Sequence, residues 1–194
     1  MYIKNIETIY NLSTPEEIEQ GKMWYSIAKI EADKIAVKYD IPLNTVVGVM
    51  SALSPNNRWE RNIGDCENLI DAYFNGDHIE SVKVCTYNAM RLKAWNILVK
   101  KLFTDGDILN HLNGQKIKSF FQCIMDYDAC CIDGHAYNIA LGVRHSLTSG
   151  KTFIGKKLYK ELQDAYIKTA KKLNLKAYEL QAITWVTWKR IHKI

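Results

Sequence analysis

Residues 107–142 read DILNHLNGQKIKSFFQCIMDYDACCIDGHAYNIALG, and this stretch decides the fold class. DILNHL reads as a short helix, LNGQ as a tight connection, KIKSFFQCIM as a second helix, CCID as an apolar run, and HAYNIALG as a third helix. Period-two alternation long enough for a strand is absent here and along the rest of the chain, so the fold class is all-α. Two short helices joined by a tight turn at Gly114 aim backbone N–H groups outward, and such groups at a helix start bind phosphate. Lys116 and Lys118 stand in the first turn of the second helix, where cations oppose the macrodipole. Anion contact or catalysis would explain them, as would two exposed lysines with Ile117 and Phe120 turned to the core. Asp133 precedes the third helix at an N-cap position. Amides there can simply be capped, or they can hold the carboxylate ionised and oriented beside a developing cation.

Working outward, Thr14-Pro15-Glu16-Glu17 supplies an N-cap, a proline at the first helical position and a capping-box glutamate, so a long helix runs from there to about Tyr39. Its apolar residues Trp24, Ile27, Ile30 and Val37 recur at helical spacing. After Ile41-Pro42, the nearly all-apolar TVVGVMSALS predicts a central helix buried on every side. The polar loop PNNRWERN leads into a helix ending near Phe74 and closed by Asn75-Gly76. TYNAMRLKAWNILVKKL forms the next helix, with Met90, Ala94, Ile97 and Leu98 on one stripe and a break at Asp105-Gly106. Two basic helices complete the chain.

The 194 residues are 47% apolar and 24% charged, enough for one globular unit with a sizeable core. No apolar run approaches the roughly 20 residues that cross a bilayer, so the expectation is a cytoplasmic protein without membrane contact. The five cysteines show no paired spacing of a metal or cluster site and read as buried thiols. Cys130, Cys131, Asp133 and His135 lack a second ligand pair, so neither metal nor cofactor is expected. Net charge is +5, yet residues 144–194 carry 12 Lys+Arg against 3 Asp+Glu. Basic character confined to the last quarter suits an anionic ligand of limited size or one flank of a nucleic acid. Trp185 and Trp188 lie one turn apart with Gln181 a turn earlier, a spacing of core aromatics more than of a stacking platform.

In order, ALSPNNRW, KAWNI, LNGQKIKSF and IDGHAYNIALG resemble the successive motifs of the helix-hairpin-helix DNA glycosylase superfamily, over about residues 45–143. The resemblance implies a helix-hairpin-helix glycosylase-like core there; with no Pro-, Gly- or Ser-rich linker in the chain, residues 1–44 and 144–194 are expected to flank it as a second, closely packed helical lobe of a single compact unit. It implies that Asp133 stabilises a cationic sugar and helps a water attack, and that Lys118 holds the position of the Schiff-base lysine of bifunctional members. His135 matches a hydrogen-bonding histidine, and Asn56 and Asn57 match residues that fill a vacated base stack. Lys116 replaces the hairpin's second glycine, which argues against close docking of a duplex phosphate. The whole chain also resembles an uncharacterised family of small phage proteins.

Cleaving a base from a nucleotide builds positive charge on the sugar, so the site needs a desolvated carboxylate near the anomeric carbon and a grip on the base. Asp133 fits the first need. The loop Asn56-Asn57-Arg58-Trp59 fits the second, with Lys116, Lys118 and the basic C-terminal helices on phosphate. The expected function is therefore an N-glycosidase of a nucleotide, leaning to a small phosphate-bearing one such as a cyclic dinucleotide signal, with action in a host cytoplasm if the gene is phage-borne. DNA glycosylase activity is the alternative, and a non-catalytic nucleotide- or DNA-binding protein is the alternative of another class.

Overall fold

In the computed structural model, residues 1–146 and 154–194 are described. They form the α-helices α1 (Tyr2–Tyr10), α2 (Pro15–Tyr39), α3 (Leu43–Leu53), α4 (Trp59–Phe74), α5 (Asn88–Val99), α6 (Asp105–Leu112), α7 (Gln115–Ile124), α8 (Gly134–Leu141), α9 (Lys156–Lys172) and α10 (Ala177–His192). One 3-10 turn spans Ile79–Ser81, and no strand occurs among the described residues, so the protein is all-α. None of these helices is long and apolar enough to cross a membrane.

The chain divides into two compact units, one made of Met1–Ile27 with Asp126–Ile194 and the other of Ala28–Met125. In the second unit α3 is the central element. Every residue from Thr45 to Leu53 is buried, and α4, α5, α6 and α7 all pack on it, as a helix with no polar face requires. Gly48 lets this packing close, because a Cβ there would sit 2.8 Å from Ile108 Cγ2. The stripe of α5 is buried at Ala94, Ile97 and Leu98. The α5–α6 break falls earlier than Asp105-Gly106: Lys101 takes φ 51°, and Thr104 caps α6 by accepting the Asp107 amide, so both Asp105 and Gly106 lie inside the first turn. A threonine that caps from three residues upstream is a stronger local signal than a glycine near a helix start.

In the first unit α1 packs on α8, α9 and α10, and Asn5 Nδ2 donates to Ala140 O at 2.9 Å. The core there includes Ile6, Tyr166, Ile139, Leu180 and Trp188. The start of α2 carries the expected capping box, Thr14 N donating to Glu17 Oε2 at 2.9 Å and Glu17 N to Thr14 Oγ1 at 3.3 Å. Arg190 Nε donates to the same glutamate at 2.6 Å.

α2 buries a different face from the stripe that its large apolar residues suggest. Ile27, Ile30 and Val37 are exposed, Val37 by 75%, whereas Tyr25, Ala28, Ala32, Ile35 and Ala36 are buried. At Gly21 the helix is closely approached, since a Cβ there would lie 2.5 Å from the Ile183 backbone of α10. Cys66, Cys123, Cys130 and Cys131 are buried, and burial pushes the Cys66 thiol well up. Cys85 departs from the expectation and is exposed, since it sits in the bend of the non-helical stretch before α5.

Candidate functional site

The apolar run before α8 is pinned by α9. Tyr159 Oη accepts the Ile132 amide at 3.1 Å, and Gln163 Nε2 donates to Cys130 O at 2.8 Å. Chain held this way delivers Asp133 to the end of α8 in extended backbone, where its Oδ1 accepts the Ala136 amide at 2.7 Å. The cap uses one carboxylate oxygen. Asp133 is half-buried and, among the described residues, forms no ion pair; its carboxylate sits at the positive end of the helix dipole. Behind it the fully buried Tyr166 phenol is pushed well up, by burial first, with the negative charge of Asp133 contributing.

His135 follows in the first turn of α8. Its Nδ1 is buried without a hydrogen-bond partner, so the hydrogen-bonding role expected of it has no counterpart at that atom. The imidazole packs against Trp185 of α10 at 6.5 Å and 78°, and Trp24 of α2 meets the same indole at 6.2 Å and 66°. Lys189 Nζ lies 4.4 Å over the Trp185 ring. Below this group, Tyr25 Oη donates to the buried Gln181 Oε1 at 2.9 Å, and Trp188 is only 5% exposed with its indole nitrogen unpartnered. Gln181 and Trp188 are core, as their spacing suggests, whereas Trp185 is half-exposed. His192, against Trp188 at 3.9 Å, has its pKa pushed down by burial and by the charges of Arg144 and His135.

The remaining sequence-selected residues belong to the Ala28–Met125 unit. In the loop before α4, Asn56 is exposed with φ 54°, while Asn57 turns inward and donates to Asp65 Oδ2 at 2.9 Å and to Leu53 O at 3.3 Å. The buried Asp65 also accepts the Cys85 amide at 2.8 Å, so it fixes the loop from beneath. Arg58 is the exposed N-cap residue of α4 and Trp59 its half-buried first residue. The loop thus presents Asn56 and Arg58 and spends Asn57 on its own scaffold.

The α6–α7 connection is the two residues Asn113-Gly114, with Asn113 left-handed at φ 66°. Lys93 of α5 locks it, its Nζ donating to Leu112 O at 2.9 Å and His111 O at 3.3 Å while His111 Nε2 meets Lys93 O at 2.9 Å. Burial pushes the Lys93 pKa down, and the neighbouring Lys118 charge adds to it. Lys116 and Lys118 are half-exposed in the first turn of α7, with Ile117 and Phe121 rather than Phe120 carrying the buried side. Asp133 and His135 therefore share one unit with the Trp24, Trp185 and Lys189 group, and Asn56, Asn57, Arg58, Trp59, Lys116 and Lys118 share the other. Sequence reading missed Asp65 and Lys93. Their signal was weak, since an aspartate inside one amphipathic helix and a lysine inside another both read as solvated. Among the described residues no three His, Cys, Asp or Glu side chains form a group that could hold a metal ion.

The chain belongs to a family of unknown function, DUF7178, whose model matches residues 1–192. No curated protein and no solved structure matches it.

Proposed function

We propose that this chain is an N-glycosidase that hydrolyses the base–sugar bond of a nucleotide, with a small phosphate-bearing nucleotide, such as a cyclic dinucleotide, as its substrate. One observation carries the reading: a carboxylate, Asp133, held at a helix start by a 2.7 Å amide contact and without an ion pair among the described residues. An oriented carboxylate beside the sugar stabilises an anomeric carbon that becomes cationic as the bond to the base breaks. The C1′–N electron pair leaves with the base, which takes up a proton. Water adds at C1′ and gives its proton to Asp133, which then releases it.

The test is base release. Incubation with nucleoside monophosphates, cyclic dinucleotides and modified duplexes, followed by liquid chromatography with mass detection, is expected to show free base in excess of protein. Stoichiometric protection of the ligand without free base would instead mark a sequestering binder.

A DNA glycosylase is the second reading, supported by the tight Asn113-Gly114 connection with Lys116 and Lys118 beside it. A Schiff-base enzyme needs a partly neutral lysine in a dry pocket, and Lys118 is half-exposed. Borohydride added with duplex substrate is expected to trap no adduct. An adduct that disappears in Lys118→Ala would favour this second reading.

A further inference from the structure

Along α10 the buried residues Gln181, Thr184 and Trp188 surround one large aromatic that keeps part of its surface open, Trp185. Its ring contacts with Trp24 and His135 are steep, at 66° and 78°, so neither ring lies parallel to the indole. Over the indole plane lies an ammonium, Lys189 Nζ, on a long flexible stem. A cation on a half-exposed indole is weakly held and can be exchanged for a flat π-system, which covers more of the ring. Two residues along α8 from Asp133, the buried Nδ1 of His135 lacks a partner beside this indole, a cost to the free protein that a bound polar group or water would remove. Aromatic face, movable cation and nearby carboxylate match the three parts of a nucleotide: base, phosphate and sugar.

We propose that Trp185 is the platform on which the nucleotide's base stacks, and that Lys189, displaced from the indole, meets the phosphate. This deepens the N-glycosidase reading and rests on it for the identity of the ligand. Trp24 and His135 hold the indole plane from the side and are positioning residues.

Titration of the full chain with the four nucleoside 5′-monophosphates, their parent nucleosides and the two purine cyclic dinucleotides, followed by calorimetry and tryptophan fluorescence, tests it. At least one probe is expected to bind with quenched fluorescence. Trp185→Leu should weaken that probe about tenfold to hundredfold, the range of one lost base–aromatic stack, while Trp185→Phe retains most of the affinity. Lys189→Met should weaken the phosphorylated probe and leave the parent nucleoside unchanged, and it decides the matter should Trp185→Leu not fold. Failure of every probe to bind the wild-type protein, or equal affinity in folded Trp185→Leu, overturns the proposal. Trp185-dependent binding without any free base supports the platform and removes the glycosidase reading. Base release at the wild-type rate by Trp185→Leu does the reverse.

Discussion

Asp133 is one residue with two separable duties, because an asparagine in its place can still accept the Ala136 amide but carries no charge. Asp133→Asn is therefore expected to keep the fold and ligand affinity while lowering the rate of base release by on the order of 10²–10³. Normal turnover in this variant would reduce Asp133 to a cap. Glu17 offers a test of a different kind. Its carboxyl is held below the usual range chiefly by the Arg190 guanidinium, with the Thr14 amide and Thr187 hydroxyl assisting against burial. The unfolded chain then binds the proton more readily, so the stabilisation is complete above about pH 4.3 and is lost as pH falls through the lower folded value. Thermal midpoints measured from pH 7 downward should fall more steeply for the wild type than for Glu17→Gln. An equal slope would mean that the carboxylate adds nothing. At this scale the sequence showed Thr14, Glu17 and Asp133 plainly, because capping is local chemistry. It could not show that Asn57 turns inward to Asp65, since that bond depends on how a loop folds back onto a helix.

Helix α2 shows where element-level reading succeeds and where it stops. Both of its ends were readable, from the capping box at Thr14 and the proline after Ile41, and the helix spans Pro15–Tyr39. Its buried face was not, because Ile27, Ile30 and Val37 outweigh alanines in any hydrophobicity pattern, while at Gly21 the contact is decided by how closely α10 approaches. Gly21→Ala tests that account. Alanine raises intrinsic helix propensity by up to about 1 kcal/mol, yet its methyl would meet the backbone of Ile183, so the net effect should be a loss of about 1–3 kcal/mol. Chemical denaturation would settle the sign, and a stabilised variant would refute the close crossing. The α3 stretch was simpler to read, since a helix without a polar face has only one kind of place to go.

At the scale of the whole molecule, the all-α class was legible from the lack of period-two alternation, whereas the points where the chain passes from one unit to the other carry no local signal. One division falls inside α2, between Ile27 and Ala28, where neither composition nor any Pro- or Gly-rich linker changes. The confined basic quarter predicts a shallow dependence of nucleotide binding on salt. Duplex docking through 6–10 phosphates would instead weaken roughly 10³–10⁵ fold between about 50 and 200 mM salt. Fluorescence titration of a mononucleotide and a nonspecific duplex across that range should give a small slope and tighter mononucleotide binding; a steep slope with duplex preference would promote the DNA glycosylase. The interrupted path of the Met1–Ile27 and Asp126–Ile194 unit also imposes an order in time on a ribosome. Residues 28–125 are contiguous and emerge with all their partners, but α1 must wait for α8, α9 and α10, as the Asn5–Ala140 bond spanning 135 positions illustrates. At roughly 5–20 residues per second, the segment after Met125 takes about 3–14 s to be made. For that interval the nascent N-terminal helices, Ile6 among them, have no core to enter, which makes them the part of the newborn chain most in need of a chaperone.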